Sequence, residues 1–495
     1  MRIETETDIE RLRQMALLLQ AENDRLFRRL ETLTAELDKA RGKDTNSLQL
    51  EIQLLKEHLA SRTRALFAPS SEKRPDTQKT PTEQEQPQRG HGPREQPALP
   101  IIERIHTLDE ADKICPKCGG ELAEWKDQFE EAEEIDVIER SFQLVRHKRQ
   151  KYRCRCGECI ETALGPPKLI PGGRYSVDFA VTVAVAKHAD HLPLARQVQQ
   201  MARSGLVVDT QTLWDQIYAL AQYLEPTHDA LHELVLSSPV IGADETRWPL
   251  LGKPRSSKWH AWAICSPKVI CYRILPSRSA DAAQMVLKDY HGAVVADGYS
   301  AYSSLRDRAG PSFELANCWS HCRRKFVDAE PHYPQAGEML EKIGRLYGIE
   351  ARATESGQGQ WRQRLVELRR TESTPIVAEI HEWIISQCVL PKSGLGKAIK
   401  YALGLWPGLC KFLDNPDIPL DTNHVERGMR ALAVGRKNHY GSRSQRGTRA
   451  AALFYSLIES AKLVGVEPAA YLTEAARRAI ANPGTVTLPS DLLPA

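Results

Sequence analysis

Near the N-terminus, Leu12, Leu19, Leu26 and Leu33 recur every seventh residue, with Ile9, Ala16, Asn23, Leu30 and Leu37 at the companion positions. This is an a/d heptad seam, and the amide of Asn23 at an a site fixes register and strand number. Gly42 and Asp44 interrupt the pattern before Leu48, Ile52, Leu55 and Leu59 resume it. The spacing predicts helix over about 8–62, either a coiled coil joining two copies or a hairpin packed on its own chain. From Pro69 to Pro100 the chain has almost no apolar residues, so it reads as a linker. Helical periodicity returns over 170–235. Around residue 240 the pattern changes to short apolar runs: Val240-Ile241, Trp259 to Cys265, Val269 to Ile274 and Ala293 to Ala296. These predict strands, with Ser266-Pro267 as a hairpin turn and a helix over Ala280 to Tyr290 before the fourth. The stretch from about 330 to 415 is mostly helical and polar, and the chain after Ala450 is helical to about Ala481.

Composition narrows the class without naming it. The 495 residues are 41% hydrophobic and 26% charged, with a net charge of +3. That length suggests several domains with ample core. The charge is unevenly placed: the runs Arg146 to Arg155 and Arg427 to Arg449 contain no acid. Such runs contact phosphate or form solvated faces. The opening residues lack the apolar segment of a signal peptide, and no run approaches the ~20 apolar residues of a membrane span. A cytoplasmic protein without membrane contact is expected. Its eleven cysteines then serve as metal ligands or free thiols.

Three acids carry the chemistry. Asp244 ends the run Val240-Ile241-Gly242-Ala243, Asp297 ends Ala293-Val294-Val295-Ala296, and Glu426 lies in the helical segment Asn423 to Arg430. Hard oxygen ligands suit Mg²⁺ or Mn²⁺, and a metal pair stabilises the attacking and leaving oxygens of an in-line phosphoryl displacement. Each acid also has a plainer reading. Asp244-Glu245 are polar residues leaving a strand, Asp297-Gly298 is a hairpin-turn dipeptide, and Asn423 with Glu426 is a capping pair. Basic segments accompany the acids. His321, Arg323, Arg324 and Lys325 follow Asp297; Arg427 and Arg430 flank Glu426; Arg436, Lys437 and Asn438 form a glycine-flanked turn. All nine are candidate DNA contacts.

Cys115-x-x-Cys118 followed by Gly119-Gly120 is a zinc knuckle. Cys154, Cys156 and Cys159 offer three thiols for the two remaining positions. Cys156 and Cys159 have the proper spacing, and Cys154 is spare or replaces one of them. Cys265, Cys271, Cys318, Cys322, Cys388 and Cys410 read as core cysteines. Leu194 to Trp214 has the pattern of a helix-turn-helix, with a turn at Ser204-Gly205 and a second helix from Thr210.

Taken in order, these segments resemble transposases of the insertion sequence 66 family, in the DDE superfamily. The resemblance rests on Leu66-Phe67 to Lys73, the Cys115/Cys118 knuckle, Ala243 to Thr246, Asp297-Gly298-Tyr299, His321 to Phe326, Asn423 to Arg430 and Arg436-Lys437-Asn438. It implies an RNase H-like catalytic core with Asp244, Asp297 and Glu426 as the metal-binding triad, and a helical insertion before the last catalytic helix. The expected architecture is a multidomain α+β/α/β chain. It comprises a coiled coil (1–64), a linker (65–99), a zinc module (100–165), a helical DNA-binding region (166–236), a mixed-sheet catalytic domain (237–445, insertion about 330–415) and a helical tail (446–495). The expected function is DNA cleavage and strand transfer with two Mg²⁺ (or Mn²⁺) ions and one structural Zn²⁺. The expected partners are element ends, target DNA, a second copy and accessory proteins of the same element, in the bacterial cytoplasm at the nucleoid. The alternatives are an RNase H-like nuclease and a zinc-dependent DNA-binding regulator.

Overall fold

A computed structural model describes residues 141–153, 160–251, 257–309, 313–354 and 361–493, together with 25, 26, 28–30, 32, 33, 51–58, 60 and 117. The five candidate zinc cysteines and most of the heptad lie outside the described residues. A short antiparallel ladder, β1 (Lys151–Arg153) with β2 (Ile160–Thr162), opens the continuous part. Three helices follow: α1 (Val177–His188), α2 (Leu194–Arg203) and α3 (Thr210–Leu236). Ser176 caps α1 and Asp209 caps α3, each accepting a backbone N–H of the first turn. Gly205, at φ +81°, makes the turn after α2, where a left-handed residue is required.

The sheet follows. Its strands are β3 (Val240–Leu250), β4 (Ser257–Cys265), β5 (Ile270–Leu275), β6 (Ala293–Ala296) and β7 (Glu314–Asn317), in the order β5-β4-β3-β6-β7. Strand β4 is antiparallel to both of its neighbours, β3 and β5, whereas β6 runs parallel to β3 and β7 parallel to β6. The Ser266 N–H donates to the Val269 carbonyl and closes the predicted turn between β4 and β5. Helix α4 (Ala280–Leu287) leads into β6, and α5 (Ser300–Ala309) crosses from β6 to β7. Helix α6 (Trp319–Ala329) leaves β7. The insertion contains α7 (Ala336–Thr354), α8 (Trp361–Leu368), a π-helical turn (Arg369–Ser373), α9 (Thr374–Ser386) and α10 (Gly394–Gly404). The last three helices are α11 (Asn423–His439), α12 (Gln445–Leu463) and α13 (Pro468–Ala481).

Alternation along the strands assigns the two faces of the sheet. Ile241, Ala243, Trp262, Ile264, Val294 and Ala296 are buried on one face with α4, α5, α12 and α13. On the other face Ala263, Cys265, Ile270 and Tyr272 meet Val425, Met429 and Leu432 of α11, and Ala293 and Val295 meet α6 and the insertion. The segment expected as a tail thus contributes α12 and α13 to the same core as α1 and α3. Edge strand β5 is bonded to this packing. Ser460 Oγ bridges the N–H and C=O of Ile270, Ser456 Oγ accepts the Tyr272 N–H at 2.8 Å, and His228 Nε2 reaches the Tyr272 carbonyl at 3.2 Å.

The insertion has its own core, and one arginine is buried in it. Arg369 pairs bidentately with Glu350 (2.8 and 2.7 Å) and donates to the carbonyls of Phe412, Asn415 and Ile418. The described part of the N-terminal helical segment packs on its own chain. Leu33 and Ile52 are buried, and Glu57 accepts the Gly394 N–H at 3.0 Å and the Tyr333 hydroxyl at 3.2 Å. Cys265, Cys271, Cys318 and Cys322 are buried as expected of core cysteines; Cys388 is instead exposed after the end of α9, and Cys410 is half-buried. Among the described residues no helix is long and apolar enough to cross a membrane.

Candidate active site

The parallel pairing of β3 with β6 sets the first two acids side by side. Gly242 is in register with Val295. Two residues further on each strand, Asp244 and Asp297 therefore point to the same face, the one covered by α11. Gly242 lets that helix come close, because a Cβ there would collide with Val425 Cγ2 and His424 Nε2. The contact seats Glu426 on the same face as the two aspartates, near enough to Asp244 to act on its charge. Tyr272 reinforces it by donating from its hydroxyl to the Gly428 carbonyl at 2.9 Å.

None of the plainer readings holds: Asp244-Glu245 do not leave a strand, because β3 continues to Leu250 with Asp244 paired to Ala263. Asp297 is followed by α5 and a parallel crossover, so Asp297-Gly298 is no hairpin turn. Its Oδ1 accepts the Tyr299 N–H at 2.8 Å, and Asn317 Nδ2 donates to its carbonyl at 3.1 Å. Asn423 is not the N-cap of α11. That position is Thr422, no side chain caps there, and Asn423 turns back to Asp421. Glu426 is therefore released from a capping role.

Electrostatics binds the three acids into one site. Burial, reinforced by Glu245, Asp297 and Glu426, pushes the Asp244 carboxyl up to about 7. Glu426 Oε1 is buried without a hydrogen-bond partner, and its neighbour is His321 Nε2 at 3.5 Å. Arg324 Nη2 stands 3.7 Å from Glu426 Oε2. Among the described residues no three His, Cys, Asp or Glu side chains already converge as ligands of one ion. The donor chemistry nonetheless fits a hard cation: the acids are carboxylates that repel one another, one is held toward its protonated form, and another has an orphaned buried oxygen.

The predicted cationic residues divide by environment. Arg323, Arg324, Lys325, Arg427, Arg430, Lys437 and Asn438 are exposed, and Arg427 and Arg430 share the helix of Glu426. His321 is turned to Glu426. Arg436 is half-buried and donates to Thr246 Oγ1 at 2.8 Å and to the Arg247 carbonyl, so it braces β3. The helix-turn-helix pattern is realised by α2 and α3. The exposed start of α3 carries Thr210 and Gln211, and Gln211 donates to Asp215 at 2.7 Å.

Residues to which the sequence reading gave no role in the site surround it. Glu245 points to the opposite face from Asp244. Its oxygens take the Arg278 guanidinium and the Tyr302 hydroxyl, the latter at 2.7 Å. Tyr401, from the insertion, accepts the Gly298 N–H at 3.1 Å. No periodicity marks Tyr401, which lies over a hundred residues from Asp297. Glu245 carries one signal: it is a carboxylate at the alternation position of buried Ile241 and Ala243.

Comparison with known proteins identifies the family. Residues 172–450 match the model of the transposase IS66 family, and residues 112–157 match the zinc-finger binding domain of transposase IS66. Among curated proteins the chain is 32% identical to uncharacterized protein y4jD of Sinorhizobium fredii (strain NBRC 101917 / NGR234), covering 78% of each chain. It is 30% identical to y4qI of the same strain, over 76% of this chain and 72% of the relative. It is 27% identical to y4hP, also of that strain, over 94% and 87%. A family match that spans Asp244, Asp297 and Glu426 places this chain in the IS66 family of insertion-sequence transposases, with that family's zinc-finger domain ahead of the transposase region.

Proposed function

We propose that this transposase cuts DNA at the ends of its element and joins the cut ends to a target, using Asp244, Asp297 and Glu426 to hold two Mg²⁺ or Mn²⁺ ions. The observation that carries the reading is the delivery of three acids, from β3, the end of β6 and α11, to one face of a mixed sheet. A sheet with three antiparallel strands followed by two parallel ones, in the order 3-2-1-4-5, supports an RNase H-like core. When bound, the metal pair would promote ionisation of the attacking hydroxyl and take up charge on the leaving oxygen.

The chain's own residues do the rest. Asp244 projects from within β3 and Asp297 from the end of β6, two strands whose register is fixed by the sheet, so their spacing is set before DNA binds. Glu426 approaches from a helix seated on Gly242. Arg427 and Arg430 point to solvent from that same helix and position phosphates, with Arg323, Arg324 and Lys325 beside them on α6. Lys437 and Asn438 extend this surface. Cys115, Cys118 and two of Cys154, Cys156 and Cys159 hold one structural Zn²⁺. The zinc module and the α2–α3 pair recognise element ends, and the N-terminal heptads join two copies so that two ends react together. The protein acts at the bacterial nucleoid, with accessory proteins of the element as further partners.

The test uses the full chain and a labelled duplex carrying the DNA that flanks its gene. Mg²⁺-dependent cleavage that leaves a 3′-hydroxyl, and joining to a second duplex, should be lost in Asp244→Asn and Glu426→Gln. Cleavage without joining would instead assign a nuclease. Retention of both activities in the variants would remove the triad.

A further inference from the structure

We propose that Glu245, Arg278 and Tyr299 form a clamp on the back of the sheet that positions Asp244 and Asp297 for divalent cations, an inference that rests on the metal-binding reading above. The clamp can be followed bond by bond. The Glu245 N–H donates to Asp244 Oδ1 at 2.8 Å. The Glu245 side chain turns to the opposite face, is wholly buried, and takes Arg278 Nε (2.8 Å) and Nη2 on Oε1. Tyr302 holds the other oxygen. The Arg278 guanidinium lies 3.6 Å over the Tyr299 ring, and the Tyr299 hydroxyl donates to the Arg278 carbonyl at 2.6 Å. The Tyr299 N–H then donates to Asp297 Oδ1 at 2.8 Å. A continuous run of contacts therefore links the two carboxylates, from the middle of β3 to the end of β6.

Two features separate this arrangement from ordinary core packing. Both backbone donors bind an Oδ1 of a candidate ligand, so the path ends on the orientation of the carboxylates themselves. A buried carboxylate is also an expensive choice for mere packing, since an isolated charge is unstable there without a partner. Arg278 is that partner. The pairing lies on the back face, opposite the side chain of Asp244. Partners behind metal ligands typically change metal affinity by about 10–100-fold when removed. Glu245, Arg278 and Tyr299 are thus positioning residues that act through the two aspartates.

The experiment measures Mn²⁺ binding to the full chain by the electron paramagnetic resonance of free Mn²⁺, alongside melting of the metal-free protein. Wild type, Tyr299→Phe, Arg278→Ala, Arg278→Lys and Glu426→Gln are compared. Tyr299→Phe and Arg278→Ala should each weaken Mn²⁺ binding about ten-fold or more, with Arg278→Lys recovering part of the loss and metal-free Tyr299→Phe staying folded with a melting temperature lowered by no more than the loss of one hydrogen bond accounts for. Tyr299→Phe deletes a single hydroxyl, so it decides the matter if Arg278→Ala does not fold. Unchanged Mn²⁺ affinity in the clamp variants, with loss in Glu426→Gln, would overturn the clamp and leave the metal site standing. Identical Mn²⁺ binding by wild type and Glu426→Gln would overturn the metal site, and the clamp with it.

Discussion

The hydroxyl of Tyr401 accepts the N–H of Gly298 at 3.1 Å, which ties the helical insertion to the turn that carries Asp297. Gly298 also leaves no room for a side chain: a Cβ there would stand 2.7 Å from Leu405 Cδ1 and 2.8 Å from Tyr401 Cε2. Gly298→Ala should therefore cost about 1–3 kcal/mol through overpacking. Tyr401→Phe removes one hydrogen bond worth about 1 kcal/mol of stability. It should slow strand cleavage while the protein remains folded. Thermal melts and single-turnover cleavage on the same preparations check both expectations.

The raised carboxyl of Asp244 makes stability depend on pH. Its folded value is about 7, against 3.8 for the ordinary side chain. Between those values the folded chain keeps a proton that the unfolded chain has lost, so metal-free stability falls as pH rises through the window, with the full penalty present above it. The gap corresponds to roughly 4 kcal/mol at most. Asp244→Asn should raise the melting temperature at pH 8 and lose that advantage toward pH 4. Mn²⁺ binding should tighten from pH 5 to pH 8, because a bound ion displaces the proton. Melting curves with and without Mn²⁺ across that range test the sign.

Arg369 is the staple of the insertion. All five guanidinium N–H groups are used, on Glu350 and on the carbonyls of Phe412, Asn415 and Ile418. Arg369→Met would strand a carboxylate and three carbonyls, at a cost of about 3–5 kcal/mol. Denaturant midpoints should drop accordingly. An unshifted midpoint would show that the segment around residues 412–418 is held by other contacts.

Two arginines of α11 should behave differently. Arg430 is exposed, whereas Arg436 braces Thr246 and Arg247. Arg430→Ala should weaken DNA binding and lower its salt-dependence slope by about one phosphate contact, with melting unaltered. Arg436→Ala should instead lower the melting temperature. Fluorescence anisotropy over a series of salt concentrations, with melts in parallel, separates the two.

What the sequence disclosed follows from the range of each interaction. The apolar runs of β3 to β6 were legible, as was Asp297 at the end of β6, because alternation and chain punctuation are local; Asp244 was read as a strand end but lies inside β3. The extension of β3 to Leu250, through Trp248 and Pro249, was hidden by a proline that breaks the usual strand signal, while the ladder to β4 continues beyond it to Ser257. Glu245 read as part of an acidic pair because its neutralising partner lies over thirty residues away. Arg369 looked like any arginine of a polar helical stretch, since its partners converge only when the insertion folds. Arg436 and His321 were grouped with the cationic residues by composition, which does not distinguish a brace or a neighbour of Glu426 from a phosphate contact. The helix after Ala450 was evident, but nothing local shows that Ser456 and Ser460, one turn apart, meet a strand.

Those two serines decide how wide the sheet can become. A strand at the margin of a sheet ordinarily offers its amides and carbonyls to any extended peptide that passes, including a second copy of the same chain. At Ile270 and Tyr272 these groups already have side-chain partners in Ser460, Ser456 and His228. Another strand would first have to displace α12 from a buried core. A second copy that extended the sheet at Ile270 and Tyr272 would have to break these bonds, so two hydroxyls and an imidazole guard that part of β5 against such association.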